Sequence, residues 1–72
     1  MNNGVFGYAR KRRIGNKVFH VKDDVFKQCK ETGITEQDII REYNKYLKVG
    51  IQTTWGVAAQ SAVREKRLRG IK

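Results

Sequence analysis

The sequence predicts a mainly helical chain with one short strand, in the order strand, helix, helix, helix. Three observations carry this. Ile39, Ile40, Tyr43 and Leu47 recur at helical spacing through EQDIIREYNKYLK. Trp55, Ala58, Ala59, Ala62 and Val63 make a second stripe at i, i+3, i+4, i+7 and i+8. KVFHVK (17–22) is rich in β-branched and aromatic residues and contains no Gly or Pro, which is strand composition. At 72 residues there is room for one domain and a thin core. Such a core rarely supplies more than about 3–5 kcal/mol by itself.

Taken in order, residues 1–9 mix Gly and Asn with short apolar groups and read as loosely ordered. RKRR (10–13) follows, and four adjacent cations repel one another unless an anion lies nearby. It is either a solvated arm or a phosphate contact. In the strand at 17–22, Phe19 and Val21 share one face, while Val18, His20 and Lys22 share the other. The first helix is expected over about 23–32, capped by Asp23 or Asp24, with Val25, Phe26 and Cys29 as its stripe and Gly33 as its stop. Thr35 begins the second helix, 35–48, with Asp38 as a capping-box partner and Gly50 ending it. The third helix runs over about 54–68, its alanines suited to close packing, and ends in the basic REKRLR. The chain thus divides into a basic N-terminal arm (1–15), a core (16–50) and a C-terminal helix with a basic tail (51–72).

Composition narrows the chemistry. Cys29 is the only cysteine, so no disulfide within the chain is expected, and one His with one Cys cannot make a four-ligand metal set. No metal, cofactor or small-molecule substrate is expected. No apolar run approaches the roughly 20 residues of a membrane span. MNNGVFGYARKRR places its charge after its apolar part, the reverse of a signal peptide, so the expectation is a cytoplasmic protein. Catalysis is not expected either: a helix cap explains Asp23 and Asp24, and no Gly-rich phosphate loop or nucleophile–base pair stands out.

Charge points instead to a polyanion. Sixteen Lys and Arg face seven Asp and Glu, for a formal net charge of +9. Residues 1–22 carry +6, residues 23–48 carry −1, and residues 49–72 carry +4. A near-neutral middle between two basic arms suits a nucleic-acid partner.

GITEQDIIREYNKYL (33–47) and VFHVKDDVF (18–26) resemble, respectively, the second-helix pattern and the strand-to-first-helix junction of the ribbon-helix-helix (Arc and methionine-repressor-like) DNA-binding family. The resemblance covers about residues 16–48; the first helix is shorter than that family's, and the third helix is an addition. It implies a homodimer, with higher order possible on double-stranded DNA, in which two copies of the strand pair antiparallel into a ribbon. Phe19, Val21, Val25, Ile39, Ile40, Tyr43 and Leu47 would then form the dimer core. Base reading falls by this analogy to Asn16, Val18 and His20. Phosphate contacts fall to Arg10, Lys11, Arg12, Arg13, Lys17, Lys22 and the amides around Thr35. The implied role is a repressor or a nucleoprotein accessory factor.

Three other readings compete. Gly-Asn in RRIGNKVF is a signal for a two-residue turn, which would make a basic hairpin from one chain, followed by helices, in a monomeric nucleic-acid-binding module. A helix-turn-helix is disfavoured by Glu36, Asp38 and Glu42 on its would-be reading helix. A small protein-binding inhibitor would use Trp55 and the alanine stripe as a partner surface.

Overall fold

The structure, a computed structural model, describes residues 9–70. The elements are β1 (Arg10–Ile14), β2 (Lys17–Val21), α1 (Asp23–Thr32), α2 (Glu36–Lys48) and α3 (Trp55–Gly70). Most of the expected N-terminal arm, residues 1–8, lies outside the described residues, as does the end of the basic tail.

The strand does not stand alone. β1 and β2 pair antiparallel within the chain, with Arg10 opposite Val21, Arg12 opposite Phe19 and Ile14 opposite Lys17. RKRR is therefore a strand, not an arm, and the pairing that the resemblance assigned to a second copy is made internally. Gly15 and Asn16 form the two-residue connection. Gly15 sits at φ 67 and Asn16 has no positive φ, which are the signs of a II′ hairpin turn. The turn is also tied down from outside. The Asn16 amide donates to the Glu36 carboxylate at 2.7 Å, and a Cβ at Gly15 would lie 2.7 Å from that same carboxylate. The left-handed backbone favours glycine there, while the Glu36 carboxylate, at the end of a flexible side chain, could give way to a Cβ.

Directly opposed residues in an antiparallel pair share a face. The inner face of the hairpin accordingly carries Phe19, Val21 and Ile14, all buried. They pack into a core with Val25 and Cys29 of α1, Ile34, Ile39 of α2, and Ala58, Ala59, Ala62 and Val63 of α3. α3 is the central element, packing on α1, α2 and β2. Its alanines are 0–3 % exposed and belong to the core. Trp55 closes one end: Phe19 meets it edge-on at 5.2 Å, and Tyr43 stacks on it at 4.0 Å. Such pairs contribute about 0.5–1.5 kcal/mol beyond area burial. Burial also pushes the Cys29 thiol up to about 11, so it stays protonated and unreactive at neutral pH.

Three expectations about these elements need correction. Phe19 and Val21 are buried by their own chain, not between two chains. Leu47, expected in the core, is 49 % exposed, while Glu42 is buried. The inward face of α2 is Ile39, Glu42, Tyr43 and Tyr46, which has the same helical period with a carboxylate in the second place. Glu42 is tolerated because its carboxylate reaches Lys45 at 3.2 Å at the helix edge, and Tyr46 shares a 2.7 Å hydrogen bond with Ser61 of α3. Ile40 remains half-buried against the core. Finally, neither aspartate caps α1 from the expected position. Lys22 is the N-cap, with no side-chain hydrogen bond; Asp24 accepts from the Val25 amide, and Asp23 pairs with Arg12.

The remaining boundaries follow the local signals closely. Gly33, at φ 71, terminates α1, with its amide and that of Ile34 returning to the Lys30 and Cys29 carbonyls. Thr35 and Asp38 form the reciprocal capping box of α2. The Thr54 hydroxyl accepts from the Val57 amide at the start of α3.

Candidate nucleic-acid interface

The outer face of the hairpin is set by parity alone. With Phe19 and Val21 turned inward, Val18 and His20 must turn outward, and the register pairs them with Arg13 and Lys11. All four are exposed. Cross-strand neighbours lie about 4.5–5.5 Å apart at Cβ, so Lys11–His20 and Arg13–Val18 form two adjacent rows on one surface. That surface offers two cations, an imidazole able to donate and accept, and an apolar patch.

The other basic residues of this region do different jobs. Arg12 shares the inner-face parity, pairs with Asp23, and lies with its guanidinium 5.2 Å from the Phe26 ring centre. Its Nε is buried without a hydrogen-bond partner. Arg12 is thus a structural strut between hairpin and α1, and the phosphate contact expected of it is replaced by a carboxylate. Lys17 lies with its ammonium 5.7 Å from the Trp55 ring centre. Arg10 and Lys22 are exposed at the open end of the hairpin. Asn16 is at the turn rather than on a strand face, and its main-chain N–H donates to Glu36.

The start of α2 departs most from expectation. The Thr35 hydroxyl accepts from the Asp38 amide at 3.2 Å, and the Thr35 amide donates to the Asp38 carboxylate at 3.0 Å. Glu36 adds a second carboxylate beside the same turn. A helix N-terminus holds a phosphate through free amides and positive dipole; here Thr35 and Asp38 cap each other, so the Thr35 amide and hydroxyl are engaged within the chain. The Thr35 amide holds the Asp38 carboxyl below the ordinary carboxylate range against the opposing effect of burial, helped by the Thr35 hydroxyl, Arg41 and Lys66.

Asp38→Asn tests this cap. A carboxyl whose folded pKa is depressed stabilises the protein above its unfolded pKa, and that stability is lost as pH falls through the folded pKa. The variant is expected to melt lower than the parent at neutral pH, by a cap's worth of about 0.5–2 kcal/mol. The gap should begin to narrow as pH falls below the unfolded carboxyl value of about 4 and close only once pH has passed through the lower folded pKa. Thermal melts at a series of pH values read this directly; a gap that does not change with pH would show that the charge of Asp38 is immaterial.

Among the described residues, no group of three His, Cys, Asp or Glu is placed to hold a metal ion, and no helix is long and apolar enough to cross a membrane. Two features of the fold are not visible in the sequence. One is the anchoring of the turn by Glu36, which joins positions far apart in the chain. The other is a cleft of 560 Å³ at the open end of the hairpin, between β2, α2 and the start of α3. Alternation in RKRR was concealed because all of its members are basic; only the turn signal at Gly-Asn pointed to it. Comparison with family models, with curated proteins and with solved structures finds no significant match for this chain.

Proposed function

We propose that the chain is a double-stranded-DNA-binding module that lays its own β-hairpin into the major groove. The supporting observation is the outer face itself. Lys11 and Arg13 stand on it with no carboxylate paired to either among the described residues, while Arg12, one residue away on the other face, is neutralised by Asp23. Six of the seven acids lie on α1 and α2 and the seventh on α3, so the hairpin itself carries cations and no acid. The major groove admits a two-stranded ribbon, and one chain supplies both strands.

In this reading Lys11 and Arg13 contact phosphates and hold register, since phosphates carry no sequence information. His20 and Val18 face the base edges. The imidazole can hydrogen-bond to a base, and the valine offers apolar contact of the kind that suits a thymine methyl. Asn16 and the turn lead into the groove. A second copy is not needed to complete the ribbon, although two chains on a repeated site would cover more DNA and act as a repressor or accessory protein.

The test separates holding from reading. Duplexes selected for tight binding are compared with scrambled duplexes at fixed salt, using the parent, Lys11→Ala, Val18→Ala and His20→Ala. Lys11→Ala is expected to weaken both duplexes alike. His20→Ala should weaken the selected duplex by about 1–3 kcal/mol more than the scrambled one, the range for a lost base contact. Absence of salt-dependent binding by the parent to any duplex would overturn the proposal.

A further inference from the structure

We infer that the cleft at the open end of the hairpin receives one unpaired base of the DNA held on the outer face, an inference that rests on the reading of the hairpin given above. The cleft's 560 Å³ is large for so small a chain. It falls within the roughly 300–1,000 Å³ span of sites that enclose small organic ligands. The buried Val21 and Val25 lie beneath it, and Tyr43 and Trp55, half-buried and stacked on each other, stand in its walls.

The character of the rim selects the occupant. His20 and Lys22 stand there, and among the described residues no Asp or Glu lines the cleft. An apolar, aromatic-walled recess with a cationic rim suits a flat ring attached to an anion. A nucleobase on its sugar-phosphate has that form, and aromatic side chains beside a basic groove are the usual means of holding unpaired bases. Gln60, also at the rim, supplies an amide that can both donate to and accept from a base edge. Continuity supplies the last argument. His20 belongs both to the outer face and to the cleft, so DNA on one surface passes the mouth of the other. A base inside a stacked duplex cannot enter; an unpaired one has little stacking to lose.

The experiment compares three duplexes of one sequence: fully paired, with a single unpaired adenine, and with an abasic nucleotide in place of that adenine. Affinity is read by anisotropy of labelled DNA, and occupancy by the emission of Trp55, the only tryptophan. The adenine-bulged duplex is expected to bind about tenfold tighter than the paired one, at the lower end of what one stacked base supplies. The abasic form should lose that gain, and only the adenine bulge should change Trp55 emission. Val57→Phe, at an exposed position lining the cleft, fills it without altering charge and should abolish the preference while sparing the paired duplex. Equal affinity for all three duplexes, with Lys11 and Arg13 still required, would overturn the cleft assignment and leave the hairpin reading standing. A bulge preference shared by the abasic form and surviving Val57→Phe would indicate recognition of bent DNA and overturn it too. Failure of all three to bind at low salt would remove the hairpin reading and this inference together.

Discussion

Phe19→Ala is expected to leave the protein largely unfolded at physiological temperature. Phe19 is fully buried, lies opposite Arg12 in the hairpin and meets Trp55 edge-on at 5.2 Å. Truncating a core phenylalanine costs about 3–5 kcal/mol through lost transfer energy and the cavity left behind. The whole stability of a core this small is about the same size. Relaxation cannot recover much, because the walls are β2, which is fixed by hydrogen bonds to β1, and α3, whose alanine methyls have no alternative rotamer to fill the space. Phe19→Leu should cost considerably less, since it retains most of the volume. Circular dichroism melts check both variants. All the contacts of Phe19 are made within one chain, so the parent's melting midpoint should not move with protein concentration. A midpoint that rises with concentration would restore the two-chain ribbon, and a Phe19→Ala protein melting like the parent would deny that this side chain is core.

Reversing Lys11 and Arg13 together to glutamate should lower duplex affinity by roughly 60-fold or more at about 0.1 M salt. Counterion release contributes a slope of about 0.9 per phosphate contact in log affinity against log salt. Relative to molar salt, each contact is therefore worth about 0.9 of a decade at a tenth of that concentration, and two contacts about 1.8. Repulsion by the new carboxylates adds to this. The slope itself should fall by about 2. The fold is expected to survive, because both side chains are exposed and neither contributes to the core. Net charge alone must be separated from position. Lys27→Glu with Lys48→Glu makes the same change of four charge units from +9, at exposed sites on α1 and α2. That control is expected to lose far less affinity. Equal losses from the two double variants would mean that the protein binds DNA through its general charge, without a defined face.

The local signals of the helices were nearly sufficient. Thr35 with Asp38 is a short-range capping motif, Gly33 takes a left-handed backbone at the end of α1, and the stripe from Trp55 to Val63 has one buried face. Each depends on residues within a turn or two of one another, so the chain states them locally. The candidate interface was legible only in part. Val18 and His20 could be placed opposite to Phe19 and Val21 by alternation. Lys11 and Arg13 could not be separated from Arg10 and Arg12, because four like residues carry no alternation to read.

By itself, then, the sequence determined three helices, the strand at β2 with its inward Phe19 and Val21, and a basic N-terminal third. Only the tertiary structure decided which strand β2 pairs with, and so whether the ribbon belongs to one chain or two. That choice depends on Gly15 and Asn16 closing a turn that Glu36, some twenty residues on, holds in place. It also decided which cations remain available. Arg12 meets Asp23 and Phe26 while Lys11 and Arg13 meet none of these, although all three read alike in the chain. In the same way α2 turned Glu42 inward and Leu47 outward, because the face that α3 covers is chosen by packing as a whole. Propensity and periodicity act between near neighbours, whereas pairing, neutralisation and burial act between residues that only folding brings together.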